Sequence, residues 1–297
     1  MNRLAVFLLL LAAPLGASAL DVFACEPEWG ALVTELAGDN ARLTVATTAF
    51  QDPHQLQAKP SLIAAMRGAD LVVCTGADLE IGWLPLLLRR AGNRDIQAGT
   101  PGYFVAAEHV RRLEIPKQID RSQGDIHPQG NPHIHLHPRN IARVADALAE
   151  RLATIDPENA AIYADRLGNF QVRWEQATEQ WEERGLALAG MRLASHHKSF
   201  SYLADWLDLD IVATLESKPG IPPSGAQLAT LLAQLTPDPP AGVIRTPYEN
   251  EKPSAWLSLR LDIPEIRLPF SIGGTDEVVD LFSLYDVTLR MLEEHLD

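Results

Sequence analysis

The chain has 297 residues, 46% hydrophobic and 22% charged. That is enough for one or two cores, with two domains the better fit at about 100–200 residues each. Its 19 glycines and 21 prolines exclude collagen-like and low-complexity chains, and a net charge of −14 argues against a nucleic-acid partner, which needs clustered Lys and Arg. The same charge suits a soluble monomer or a protein that attracts cations.

Residues 1–19 read as a secretory signal peptide. Arg3 precedes an apolar run at 4–13, Pro14 and Gly16 break it, and Ala17-Ser18-Ala19 is a small-residue cleavage site. The run is too short to span a bilayer. Cys25 is too far past it, behind Asp21 and bulky Phe23, to be a lipid-anchoring cysteine. Export places the two cysteines in an oxidising compartment. They close two strand-like runs, so neighbouring parallel strands would bring them within bonding reach; two buried thiols are the alternative.

Short β-like runs alternate with helical segments, the pattern of parallel α/β sheets. Residues 20–25 read as a strand, 29–37 as a helix ending at Gly38, 42–47 as a strand, 60–67 as a helix, 70–74 as a strand and 84–91 as a helix. Residues 97–106 have no regular pattern through Gly99, Pro101 and Gly102, and 115–132 form a polar, turn-rich surface loop. Helices follow at 140–154 and from Pro157 to about 187. The second is longer than one such lobe needs internally. The alternation then resumes, with strands at 191–195, 210–214, 242–246 and 266–268 and helices at 200–207, 224–235, 254–260 and 276–295. The expected fold is α/β: two parallel-sheet lobes, 20–156 and 188–297, joined by one long rigid backbone helix, 157–187.

Nine histidines are present, and several fall where strands end. His54 follows the second strand, His133, His135 and His137 precede the helix at 140, and His196 and His197 follow the strand at 191–195. Open α/β sheets bind ligands beyond the carboxyl ends of their strands, so these positions can meet in the cleft between lobes. Imidazole suits Zn²⁺ and similar ions. An oxygen ligand from the second lobe would complete a tetrahedron. Asp276 and Asp280, after the Gly273-Gly274-Thr275 turn, are the candidates, with Asp276 nearer the strand end. His109 and His295 read as solvated side chains. His135 and His137 share a face with His133 if the segment is extended, with packing or supporting roles the alternative. No H-E-x-x-H, G-x-S-x-G or phosphate-loop motif occurs, which leaves a site for holding metal rather than an enzyme.

The sequence resembles the metal-specific solute-binding proteins of bacterial ABC transporters, the zinc and manganese cluster. Asp52-Pro53-His54, Lys59-Pro60-Ser61, Ala69-Asp70-Leu71-Val72-Val73 and Gly76-Ala77-Asp78-Leu79-Glu80 are similar to that family's opening block. Asn131-Pro132-His133, His197-x-x-Phe200, Ile221-Pro222-Pro223-Ser224 and Gly273-Gly274-Thr275 match later ones. The resemblance implies a periplasmic receptor holding Zn²⁺ between its lobes for a membrane permease. The ligands would be His54, His133, His197 and a second-lobe acid, Asp276. Manganese members tend to have Glu where His197 stands. The family's Trp-Leu-Asp-Pro after Asn-Pro-His is replaced here by His135-Leu136-His137-Pro138. The long His-rich loop of zinc members is reduced to residues 120–131 with His127, still able to collect zinc or receive it from a periplasmic chaperone. A secreted zinc hydrolase and a metal-binding surface adhesin are the competing readings.

Overall fold

The computed structural model describes residues 19–117, 127–218 and 220–296. The expected signal peptide lies outside them except for Ala19. The elements in chain order are β1 Leu20–Ala24, α1 Pro27–Ala37, β2 Ala41–Val45, α2 Pro60–Gly68, β3 Leu71–Cys74, α3 Leu84–Ala91 and β4 Tyr103–Val105. They continue through α4 Pro138–Ile155, α5 Ala160–Gly185, β5 Arg192–Ser195, α6 Ser201–Leu207, β6 Asp210–Thr214, α7 Gly225–Leu235, β7 Gly242–Arg245, α8 Glu251–Leu261, β8 Glu265–Arg267 and α9 Leu281–Leu296.

Two four-stranded parallel sheets result, in the orders β2-β1-β3-β4 and β6-β5-β7-β8. In each, the first strand of the lobe has neighbours on both sides, which opens a crevice at its carboxyl end. The period-2 alternation of strand side chains sorts the cores. Val22, Ala24, Leu71, Val73, Leu193 and Ile244 face a large cluster that runs without a break through both lobes. Phe23, Val72 and both cysteines face a separate cluster under α2 and α3. Ala194 and Val243 do the same in the second lobe.

The long helix is where the periodicity places it. The 26 residues of α5 span about 39 Å at 1.5 Å per residue, with one-turn 3₁₀ segments continuing both ends. Tyr163, Phe170, Trp174 and Trp181 are buried on it. Trp174 and Trp181 pack edge or face against Tyr285 of α9, with ring centroids 5.4 and 4.8 Å away. The lobes are therefore joined by a shared aromatic seam and not by a bare rod.

Two elements differ from expectation. Strand β4 lies inside the 97–106 stretch that reads as irregular. It is three residues long and preceded by Gly102, where a Cβ would come within 2.3 Å of the Asp95 carbonyl and 2.7 Å of the Asp70 carbonyl. The glycine lets the chain pass the sheet edge. The last helix begins at Leu281 rather than Asp276, because Asp280 caps it: its Oδ1 accepts from the Ser283 N–H at 2.7 Å.

Cys25 and Cys74 are bonded, with Cα atoms 4.8 Å apart. They meet because β1 and β3 are adjacent and parallel and the Cys25 N–H donates to the Val73 carbonyl at 2.9 Å.

Candidate metal centre

His54, His133 and His197 come together at the carboxyl ends of the two sheets. One nitrogen from each lies within 4.8 Å of the others, and the rings stand nearly perpendicular with centroids 5.5 to 5.9 Å apart. These three sequence candidates meet.

Each ring is set by its own local chemistry. His54 sits in the loop after β2, which Trp83 pins by donating its indole N–H to the Pro53 carbonyl at 2.8 Å. Asp52 Oδ1 accepts from the His54 backbone N–H at 3.0 Å and pairs with Nδ1 at 2.7 Å, leaving Nε2 to face the neighbouring rings. His197 follows β5, and its Nδ1 pairs with Glu216 Oε2 at 2.8 Å. Such a carboxylate behind a ligand ring fixes its tautomer and raises its basicity.

His133 is placed by Asn131, which explains the Asn-Pro-His motif. The Asn131 side-chain oxygen accepts from the His133 N–H at 3.0 Å. Its amide donates to Glu114 in the same lobe at 2.9 Å and, across the cleft, to the Lys198 carbonyl at 2.8 Å and to Ser201 at 3.1 Å. His133 is 1% exposed, yet neither ring nitrogen has a hydrogen-bond partner. Buried polar groups as a rule find a partner; His133 is the one described residue with two such unpartnered side-chain atoms, and an imidazole bare at both nitrogens and facing two others fits a cation that completes it.

The electrostatics agree. Burial, reinforced by the neighbouring histidines, pushes His133 well below its usual range and His127 down to about 3. Both rings are neutral donors. His197 goes the other way: burial opposes its charge, but the Glu216 bond and carboxylate outweigh burial and raise it. Burial also lifts Glu249 to about 7. The cavity against His54 and His197, about 220 Å³, is lined by Asp52, Glu216 and Glu249 among others. That is a setting for a small cation.

Asp276 is not brought to the histidines. It is exposed and stands on a turn closed by the Gly273 N–H donating to the Val278 carbonyl at 2.7 Å. The preceding glycines do not act as a flexible tether. A Cβ at Gly274 would sit 1.9 Å from the Pro269 carbonyl oxygen, so the pair is there for close packing. Phe270, at φ +61°, lies against the centre instead, its ring centroid 5.5 Å from His133.

The other histidines have different work. His137 accepts from the Arg139 N–H at 3.2 Å, capping α4. His135 is occupied at both nitrogens, by the Phe270 carbonyl at 2.9 Å and Glu28 at 3.2 Å. His196 is buried and its Nε2 lies 3.9 Å from Glu216. His109 is exposed, as expected, and its ring also stacks on Phe104 with centroids 4.9 Å apart. Glu216 and Phe270 are the functional neighbours that sequence reasoning missed. Only the strand-end position of Glu216, just after β6, hinted at its role.

Comparison with known proteins places the chain. A profile of the family described as zinc-uptake complex component A, periplasmic (ZnuA) matches residues 22–268. The high-affinity zinc uptake system protein ZnuA of Paracoccus denitrificans is 24% identical over 276 residues, covering 82% of this chain and 83% of that protein. The manganese ABC transporter substrate-binding lipoprotein PsaA of Streptococcus pneumoniae is 22% identical over 271 residues, covering 89% and 83%. A crystal structure of ZnuA superposes with a TM-score of 0.78 at 21% identity, over 94% of this chain and 100% of that one. That likeness speaks for the fold.

Proposed function

The chain belongs to the zinc-uptake complex component A family, and from that premise we propose that it is a periplasmic zinc receptor delivering Zn²⁺ to an ABC importer. Family relatives carry zinc or manganese in their names. The choice of zinc rests on the donor set. His54, His133 and His197 offer imidazole nitrogens, which suit zinc, whereas manganese prefers carboxylate, carbonyl and water. The observation that carries the reading is the buried His133 ring with both nitrogens unpartnered.

Capture follows from the arrangement. The net charge of −14 attracts a dication, and the cavity bordered by Asp52 and Glu216 leads it to the three rings. Asp52 and Glu216 hold His54 and His197 with Nε2 forward, so little reorientation is needed when the ion arrives. The lobes, 20–156 and 188–297 about the linking helix 157–187, share one core. Release to the permease therefore falls to the loops that carry His54 and Glu216 and not to a wide parting of the lobes. The receptor acts as a monomer, freed from the membrane by cleavage after Ala19, and any zinc chaperone would approach at the residual loop before Asn131. No described helix is long and apolar enough to cross a membrane.

The test is zinc titration against a competing chelator, with metal analysis of protein purified from the periplasm. Zinc is expected at one ion per chain, and His133→Ala should lose it. Unchanged affinity in His133→Ala overturns the assignment.

A further inference from the structure

We propose that His127 supplies a fourth nitrogen, so that the centre is an all-imidazole site. The proposal rests on the receptor reading above and sharpens it.

His127 Nε2 lies 3.1 Å from His54 Nε2, and the ring centroid is 5.1 Å from that of His54 and 6.5 Å from that of His133. With Asp52 holding the His54 Nδ1 proton, the His54 Nε2 lone pair faces the second ring. Two imidazole nitrogens this close must share either a proton or a cation. With Zn–N bonds of about 2.0–2.1 Å, two ligands of a tetrahedral ion are about 3.3–3.4 Å apart. The observed separation is nearly that edge.

The ring is held in place. A backbone hydrogen bond with Ala77 engages it, and the Gly130 N–H donates to the His127 carbonyl at 3.0 Å, where Gly130 takes φ +103°. Gln129 extends the same turn to Asp78 at 3.1 Å and is met by Arg112 at 3.1 Å.

Among the described residues, the carboxylates near the centre are already engaged. Asp52 is engaged behind His54. Glu216 is engaged behind His197 and accepts from the Gly220 N–H at 2.8 Å. Glu249 accepts from the Thr246 N–H at 2.7 Å and from Ser199 at 3.3 Å. Asp276 is exposed, and Phe270, beside His133, brings only hydrocarbon. Four imidazole nitrogens favour late first-row ions, zinc among them, and disfavour manganese.

The experiment uses the full mature chain loaded with Zn²⁺ or Co²⁺, with His127→Ala, His127→Gln, Asp276→Ala and His133→Ala, each checked for fold by circular dichroism. X-ray absorption on the zinc form should count four imidazoles in the parent and three plus one oxygen in both His127 variants. The Co²⁺ bands should shift in parallel. Zinc affinity in the His127 variants should fall by at least about 100-fold, because a lost ligand costs more than the 10–100-fold of a lost supporting partner. Asp276→Ala should match the parent. Three imidazoles in the parent, or His127 variants with unchanged spectra and affinity, overturn the proposal and leave the three-histidine receptor standing. Retained zinc in His133→Ala overturns the receptor reading itself.

Discussion

His135 and Phe270 meet across the two lobes. The His135 Nε2–H donates to the Phe270 carbonyl at 2.9 Å, and the two rings cross at 89° with centroids 4.9 Å apart. On the far side of the imidazole stands Glu28, which also accepts from the Ser271 hydroxyl at 2.6 Å. The His135 carbonyl accepts from the Tyr285 hydroxyl. One histidine thus latches α1, the Asn131–His137 segment, the β8 end and α9, while Phe270 is held against His133.

Replacing His135 by alanine strands the Phe270 carbonyl and the Glu28 carboxylate in a buried place, at a cost of about 1–3 kcal/mol or more. Calorimetry should show a lowered melting temperature. Zinc affinity should fall less than in His133→Ala. A His135→Ala protein with normal melting and no zinc binding would make it a ligand.

The carboxylates behind His54 and His197, the rings proposed to hold zinc, are expected to matter without touching metal. Asp52→Asn and Glu216→Gln keep the side-chain shape but remove the charge, and each should weaken zinc about 10–100-fold. Glu216→Gln also loses the charge that raises His197. Protons then compete less well at that ring, and the acid limit of its metal binding shifts to lower pH. Zinc titrations across the acidic range read both effects. Equal affinity in all three proteins would show that the carboxylates only decorate the cavity.

Glu26 and Glu80 form a buried acid pair around Thr75, whose N–H donates to Glu80 Oε1 at 2.7 Å and to Glu26 Oε2 at 3.3 Å. Burial raises both, Glu26 well above the usual carboxyl range and Glu80 to about 7, and the Glu80 and Glu28 carboxylates raise Glu26 further. The folded state binds these protons more tightly than the unfolded chain does. Their contribution is complete below the unfolded carboxyl range and is lost as pH rises, through about 7 for Glu80. Glu26→Gln keeps a neutral partner at every pH, so its stability relative to the parent should rise between about pH 5 and about pH 8. Denaturant midpoints at both pH values check this. A constant difference would show that the pair does not titrate in that window.

The Cys25–Cys74 bond closes a loop with a sequence separation of 49, which by chain entropy stabilises the fold by about 4 kcal/mol. Denatured, unreduced protein should resist alkylation at both cysteines, and reduction should lower the melting temperature. Because neither sulfur is near the histidines, the reduced protein should still bind zinc while it remains folded. Free thiols in the untreated protein would refute the bond.

Much of this was readable from the chain because strong local signals agreed with the final packing. The strand–helix alternation gave both sheets, and the unbroken helical pattern after Pro157 gave α5. Strand-end placement picked out His54, His133 and His197. What stayed hidden depends on long-range geometry. Strand β4 exists only because β3 offers it an edge, and its three residues carry no period to detect. Glu216 lies 19 residues from the ring it supports, in a segment without a motif. Phe270 looks like any apolar residue near a strand end. Asp276 stands out in the sequence because it follows the Gly273-Gly274-Thr275 turn nearest the strand end, and the contact between Gly274 and the Pro269 carbonyl is invisible without coordinates.

The aromatic seam along α5 also governs how the molecule can be divided. Trp174 and Trp181 are buried by residues contributed from both sides, including Tyr285. Cutting the gene at the helix would strand these faces in water on one fragment and remove their cover from the other. Neither half would then be an independent unit that could be traded between proteins or produced alone. The whole chain should melt as one cooperative body, so an ion held by a few side chains at the cleft tightens residues far from it.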